Sequence, residues 1–211
     1  MSSSSPDVLV IGAGVIGCAI ARALALGGAG RIVVVDRGAA GGEASGAAAG
    51  VLAAASSRAK RGALFDLKRT SAACYPALVD ALRAETGIDV GYVANGLLDL
   101  AFTSREAEQL DRVVAKRREQ GFRVERLDAE AVRAAHPHVN PAVRRGALFA
   151  DDAVVDNGRL VEALQAAAAA RGVEFRLGVA VRRMRRPRGG AVEVDCDGAR
   201  LTPGRVVLAA G

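Results

Sequence analysis

Gly12, Gly14 and Gly17, followed by Asp36 and Arg37, are the residues of this chain whose types and spacing could do chemistry. The pattern GxGxxG suits recognition of a pyrophosphate. Gly12 permits a tight turn, Gly14 lets phosphate oxygens approach the backbone, and Gly17 lets a helix pack closely on a strand. Asp36, nineteen residues beyond Gly17, is placed to accept hydrogen bonds from ribose hydroxyls. In a chain with 25 glycines a bare GxGxxG says little, so the elements around it carry the inference. Val8 to Ile11 reads as a strand, the residues from Val15 to about Leu26 as a helix, and Arg31 to Val35 as a second strand ending at the acid. The helix N-terminus adds unpaired N–H groups and a partial positive charge. Together these predict a dinucleotide-binding β-α-β unit.

The segment from Arg37 to Leu52 is almost free of large side chains. Gly/Ser/Ala segments serve as linkers. The sharper expectation is that this backbone lies against a large flat ligand, with Gly41, Gly42 and Gly50 allowing close approach. Helical spacing then predicts a long amphipathic helix from Leu64 to about Thr86, stopped at Gly87 and kinked or broken at Pro76. Asn95-Gly96 predicts a β-hairpin within Val90 to Phe102. Ser104 is the expected N-cap of a helix ending near Gly121, and Asp128 of a shorter one stopping before Pro137. A strand is expected at Ala147 to Ala150, and Asp156 or Asn157 should cap an Ala-rich helix reaching Arg171. Further strands are expected at Val173 to Leu177, Val179 to Met184, Ala191 to Val194 and Val206 to Ala209.

The fold class expected is α/β, a Rossmann-like framework over residues 7–88 and 150–211 carrying an inserted, incomplete α+β domain over 89–149. Residues 1–6 are expected to be a disordered lead-in. Hydrophobic residues make up 51% of the 211-residue chain and aromatic ones only 3%, so the core must rest on Ala, Val and Leu. The net charge of +6 is spread along the chain. Its one cluster, Arg182, Arg183, Arg185, Arg186 and Arg188, lacks interleaved aromatics for base stacking and reads as a solvated strand end rather than a nucleic-acid surface. The first apolar run is preceded by an acid and broken by glycines, which fits neither a signal peptide nor a membrane anchor. Three distant cysteines, Cys18, Cys74 and Cys196, form no disulfide framework or zinc site and suit a reducing cytoplasm. His136 and His138 flank Pro137 in what reads as a surface turn, so no metal is expected. No Ser/His/Asp, Cys/His or paired-carboxylate constellation is present, and no catalytic residue is assigned.

With these residues placed, the sequence resembles the D-amino-acid-oxidase-like flavoproteins, and among them the glycine oxidases of thiamine biosynthesis. The carriers are the stretches Val8 to Gly17, Gly41 to Gly50, Asn95 to Phe102, Asp151 to Asp156 and Val206 to Gly211. The resemblance implies FAD as cofactor. It implies that Val15 and Ile16 bring backbone to the pyrophosphate and that Asp36 and Arg37 hold the adenosine ribose and its surroundings. Ala44, Ser45, Ala49, Gly50 and Val51 would line the path from phosphate to flavin, and Val181 would offer backbone to adenine. The reaction implied is oxidation of a small amino acid to its imine, with oxygen reduced to hydrogen peroxide. The flavin carries that chemistry, so no side-chain nucleophile is needed.

The chain departs from the family pattern at several positions. Asp36 stands where Glu is usual, Ala44 where glycine oxidases tend to carry a hydroxyl, and Val51 where they tend to carry Met. The motif Val206 to Gly211 falls mid-protein in the family, followed by an arginine that grips the substrate carboxylate. The chain is therefore expected to be an N-terminal part of an oxidase, with an uncovered apolar face. Such a face favours association with a second copy or with a complementing C-terminal chain.

Overall fold

The computed structural model describes residues 5–57, 61–188 and 190–211. In chain order, β1 (Val8–Ile11), α1 (Val15–Leu26), β2 (Ile32–Asp36) and the single turn α2 (Ala44–Ala47) come first. Next are β3 (Val51–Leu52), α3 (Ala63–Thr86), β4 (Leu97–Ala101), α4 (Ser104–Glu119), β5 (Val124–Asp128), α5 (Ala129–Ala135), β6 (Arg145–Phe149) and β7 (Ala153–Val154). The chain closes with α6 (Asn157–Ala169), β8 (Glu174–Leu177), β9 (Val181–Arg185), β10 (Glu193–Cys196), β11 (Ala199–Leu201) and β12 (Arg205–Leu208). Two compact units result. One runs through Ala49 and resumes over Val79–Val90 and Asp156–Gly211; the other comprises Gly50–Leu78 and Gly91–Val155.

The first unit is built on a parallel sheet in the order β12-β1-β2-β8. β1 and most of β2 are buried, which is why they read as continuous apolar runs rather than alternating ones. Helices α1 and α6 pack together. The antiparallel sheet β11-β10-β9 contributes Val194 and Leu201 to a core with Leu9, Ile11, Val33 and Val35. Glu85, near the end of α3, receives Arg22 of α1 at 2.5 Å and Arg171 at 2.9 Å, and the Arg22 guanidinium holds its carboxyl below the usual range. The arginine cluster lies exposed on β9 and the turn after it, where Arg182 pairs with Asp197 at 2.7 Å and Arg185 with Glu193 at 2.6 Å.

Cys18 is fully buried in the first unit and donates its S–H to the Ala13 carbonyl at 3.4 Å. Burial, with Asp36 nearby, pushes the thiol up to about 12. A raised folded value means that the stability of keeping Cys18 neutral is present below 9.0 and is lost as pH climbs toward about 12. At about pH 8, a thiol reagent is therefore expected to label exposed Cys74 and spare Cys18 until denaturant is added. Mass spectrometry of the labelled chain checks this, and native labelling of Cys18 would contradict the buried placement.

The second unit holds the antiparallel sheet β4-β6-β5 and the short ladder β3-β7. Phe149, Ala147, Leu110, Val114 and Ala55 share its core, and Phe65 packs edge-on against Phe122 at 5.8 Å. Those contacts place residues 50–78 in this unit, whereas the sequence reading kept them with the Rossmann framework up to residue 88. Asp152 is fully buried and accepts from the Ala55 and Ser56 N–H groups at 2.7 and 2.9 Å.

Several local expectations need correction. Thr103, not Ser104, caps α4, because Glu106 three residues on completes a capping box with it. α3 runs continuously through Pro76; the missing N–H removes one hydrogen bond without ending the helix. Asn95-Gly96 forms no hairpin. The residues after it pair as β4 with β6, while Val93 bridges to Val154 and the Gly96 N–H reaches the Asp152 carbonyl, so both flanks find partners distant in sequence. Of the expected lead-in, residues 1–4 lie outside the described residues. Ser5 is ordered by a hydroxyl contact of 2.7 Å with Thr202, and Pro6 is buried. Asp128 and Asp156 do cap their helices, accepting from Ala131 at 2.9 Å and Arg159 at 3.0 Å.

Candidate dinucleotide site

Parallel pairing of β1 with both β2 and β12 brings three carboxyl ends to one edge of the sheet, where a β-α-β unit places its ligand. A cavity of about 810 Å³ opens there within the first unit. Gly12 turns the chain out of β1 at φ +109°, a conformation L side chains rarely adopt. A Cβ on Gly12 would also overlap the Ala209 carbonyl and stand 2.9 Å from the Ala210 Cα, so the turn and the end of the chain after β12 require glycine together. A Cβ on Gly17 would overlap the Gly12 carbonyl oxygen. Gly17 is thus a packing position rather than a lining one.

Gly14 differs from both. It is the N-cap of α1 in extended conformation, and a Cβ there would meet only Ser45 Oγ, at 3.0 Å. The same hydroxyl accepts from the Val15 N–H at 3.0 Å. Among the described residues none accepts from the Ile16 or Gly17 N–H, which leaves these helix-terminal donors for an anion. Asp36 uses one oxygen to accept from the Ala13 N–H at 2.7 Å and the other to accept from the Gly38 N–H at 2.8 Å. It therefore pins the glycine turn, and a carboxylate still keeps lone pairs for ribose hydroxyls. Arg37 pairs with Glu43 at 2.5 Å, both side chains being mostly exposed.

Of the residues singled out in the sequence, Gly12, Gly14, Val15, Ile16, Asp36, Arg37, Ala44, Ser45 and Val181 line this cavity. Gly17, Ala49, Gly50 and Val51 do not; Val51 lines a smaller cavity of the second unit. The sequence reading missed Glu43 and the wall made by Leu208 to Gly211. The signal for that wall was the apolar run Val206 to Ala209, whose parallel pairing with β1 carries its end to the glycine turn.

A parallel sheet with a glycine turn, a bare helix N-terminus and an acid closing the second strand defines a dinucleotide-binding protein of Rossmann type. The chain belongs to the FAD dependent oxidoreductase (DAO) family, whose pattern it matches over residues 7–211. It is 35% identical over 206 residues to a glycine oxidase of Geobacillus kaustophilus, covering 97% of this chain and 54% of that protein. It is 33% identical over 209 residues to the bifunctional protein ThiO/ThiG of Synechocystis, covering 99% of this chain and 30% of that one. Among solved structures, the Geobacillus kaustophilus glycine oxidase superposes with a TM-score of 0.94 at 34% identity, over 99% of this chain and 56% of that chain. Glycine oxidase from Bacillus cereus gives 0.91 at 29% identity, over 98% and 55%. The chain thus spans about half the length of the glycine oxidases it matches.

FAD is the cofactor of this family. The residues present fit its ADP half: a cradle where a Gly14 side chain would stand, free helix-terminal donors for phosphate, and a carboxylate for ribose.

Proposed function

We propose that this chain holds FAD through Gly14, Val15, Ile16, Asp36 and Ser45, and that it serves the oxidation of the C–N bond of a small amino acid. When bound, FAD supplies the hydride acceptor for conversion of the amine to the imine, with oxygen as the final acceptor and hydrogen peroxide as product. The chain's own residues bind and orient. The Ile16 and Gly17 N–H groups stabilise the pyrophosphate, Asp36 accepts from ribose, and the Val181 backbone meets adenine. Arg37 closes the ribose side through its pair with Glu43. The observation that carries this reading is the space at Gly14 beside unpaired helix-terminal N–H groups, in a chain of this family.

The three unpaired cysteines accord with a reducing cytoplasm. Among the described residues no helix is long and apolar enough to cross a membrane.

Asp36 also sets cofactor choice. A charged carboxylate at the ribose gains hydrogen bonds of about 1.5–3 kcal/mol with hydroxyls and repels a 2′-phosphate. The chain is expected to bind FAD and to leave NADP free in equilibrium dialysis, and NADP binding with FAD excluded would contradict the assignment. The reaction is tested by joining the chain to the C-terminal half of the Geobacillus kaustophilus relative and assaying peroxide with glycine, sarcosine and D-alanine. Peroxide from any of them supports the oxidase reading. Reduction of a quinone analogue without peroxide would assign a dehydrogenase instead, and a chimera that binds FAD yet oxidises none of them would overturn the substrate class.

A further inference from the structure

One wall of the dinucleotide cavity is the segment Val179, Ala180 and Val181, where the chain passes from β8 to β9 within the first unit. The start of this segment is tied to the end of β2: the Gly178 N–H donates to the Gly38 carbonyl at 3.3 Å and the Val179 N–H to the Asp36 carbonyl at 2.8 Å. Its other end is tied to the turn between β10 and β11. There the Asp197 N–H donates to the Ala180 carbonyl at 3.0 Å, and the Ala180 N–H donates to Asp197 Oδ2 at 3.3 Å. One residue holds both main-chain groups of Ala180.

Asp197 is itself held by an irregularity in the sheet. Asp195 pairs with Arg183 and the next residue, Cys196, with Val181, so Arg182 is the extra residue of a β-bulge. Bulges re-aim side chains, and they are common beside functional sites. The bulged Arg182 reaches Asp197 with Nε at 2.7 Å and Nη2 at 3.1 Å, and this guanidinium keeps the Asp197 carboxyl below its usual range. The two side chains are 69% and 44% exposed, so the pair adds little to stability. What it fixes is the position of the cavity wall.

We propose that Asp197 is a positioning residue for base recognition: it sets the Ala180–Val181 main chain against adenine and so makes the site favour adenine over guanine. The inference rests on the reading that this cavity takes the ADP half of FAD. The Val181 side chain packs against the core cluster that includes Val194 and Leu201, so its main chain is what the cavity can use. A main chain presents one donor and one acceptor in fixed places. Adenine offers a ring acceptor beside an amino donor, and guanine offers a ring donor beside a carbonyl acceptor. A site that reads hydrogen bonds rejects the base with these groups reversed, provided its own groups cannot shift to suit it. Asp197 and Arg182 supply that restraint.

Calorimetric titration of the whole chain with ADP, GDP and inorganic pyrophosphate reads this without FAD or turnover. The parent is expected to prefer ADP to GDP by about tenfold or more. Asp197→Ala should weaken ADP by about tenfold and remove most of that preference, while pyrophosphate affinity and melting temperature stay close to the parent's. Asp197→Asn, whose amide oxygen can still accept from Ala180, should recover part of the loss, and Arg182→Gln should weaken ADP by about threefold. Unchanged ADP binding in Asp197→Ala would overturn the proposal. Equal loss of ADP and pyrophosphate would overturn it too, by giving Asp197 a merely structural role. A parent that binds pyrophosphate and does not tell ADP from GDP would sink this inference and leave the phosphate cradle standing. A parent that binds none of the three would sink the dinucleotide reading, and this inference with it.

Discussion

Gly14→Val is expected to fold and to lose FAD, while Gly17→Ala is expected to destabilise the first unit strongly. The two glycines lie three residues apart in one motif, yet a side chain meets different surroundings at each. At Gly14 the backbone is extended and the first obstacle is the Ser45 hydroxyl at 3.0 Å, which can rotate away. The valine methyls would then occupy the space beside the free N–H groups of Ile16 and Gly17, where phosphate oxygens belong. FAD affinity should fall by about a hundredfold or more, roughly 2.7 kcal/mol. At Gly17 the obstacle is the carbonyl of Gly12, a backbone group between β1 and α1 that has nowhere to move. Forcing them apart should cost about 3 kcal/mol. Thermal unfolding followed by circular dichroism separates the cases: Gly14→Val should melt close to the parent, and Gly17→Ala well below it.

Asp152→Ala is expected to destabilise the second unit by about 3 kcal/mol, because it strands the buried Ala55 N–H and the half-buried Ser56 N–H and opens a hole beside the core. The side chain is fully buried and its two oxygens serve Ala55 and Ser56 separately. Asp152→Asn keeps one acceptor but turns an NH2 group toward the other N–H, so it should recover only part of the loss. Urea denaturation of the three chains measures this. A parent-like midpoint for Asp152→Ala would show that the carboxylate does not hold the segment.

The first unit was legible in the sequence because its information is local. Val8 to Ile11, the glycine turn and Asp36 lie within one β-α-β unit, and a strand buried on both faces announces itself as an apolar run. The cavity residues near that turn followed from the same pattern. What sequence reasoning lost was long-range pairing. Asn95-Gly96 carries a strong local hairpin signal, yet β4 pairs with β6 across an intervening helix pair, and no local rule contains that choice. The strand β5, Val-Glu-Arg-Leu-Asp, went unread because only Val124 is buried and Leu127 half-buried, too faint an alternation to notice. Residues 50–78 group with the second unit for a related reason, one the sequence does not show. Small residues such as Ala54 and Ala55 carry no periodic signal, and their place in the second unit is decided by a carboxylate almost a hundred residues away, Asp152. Pro76 does not break α3, a strong local rule outweighed by the rest of a 24-residue helix.

The central claim is that the edge of the parallel sheet at Gly12, Gly14 and Ser45 takes the ADP half of FAD. Isothermal titration calorimetry of FAD into the chain, repeated in the presence of ADP and with Gly14→Val, tests it most directly. The account predicts one FAD site, competition by ADP, and loss of both ligands in a folded Gly14→Val chain. FAD binding that ADP does not displace, or that survives Gly14→Val unchanged, would contradict it.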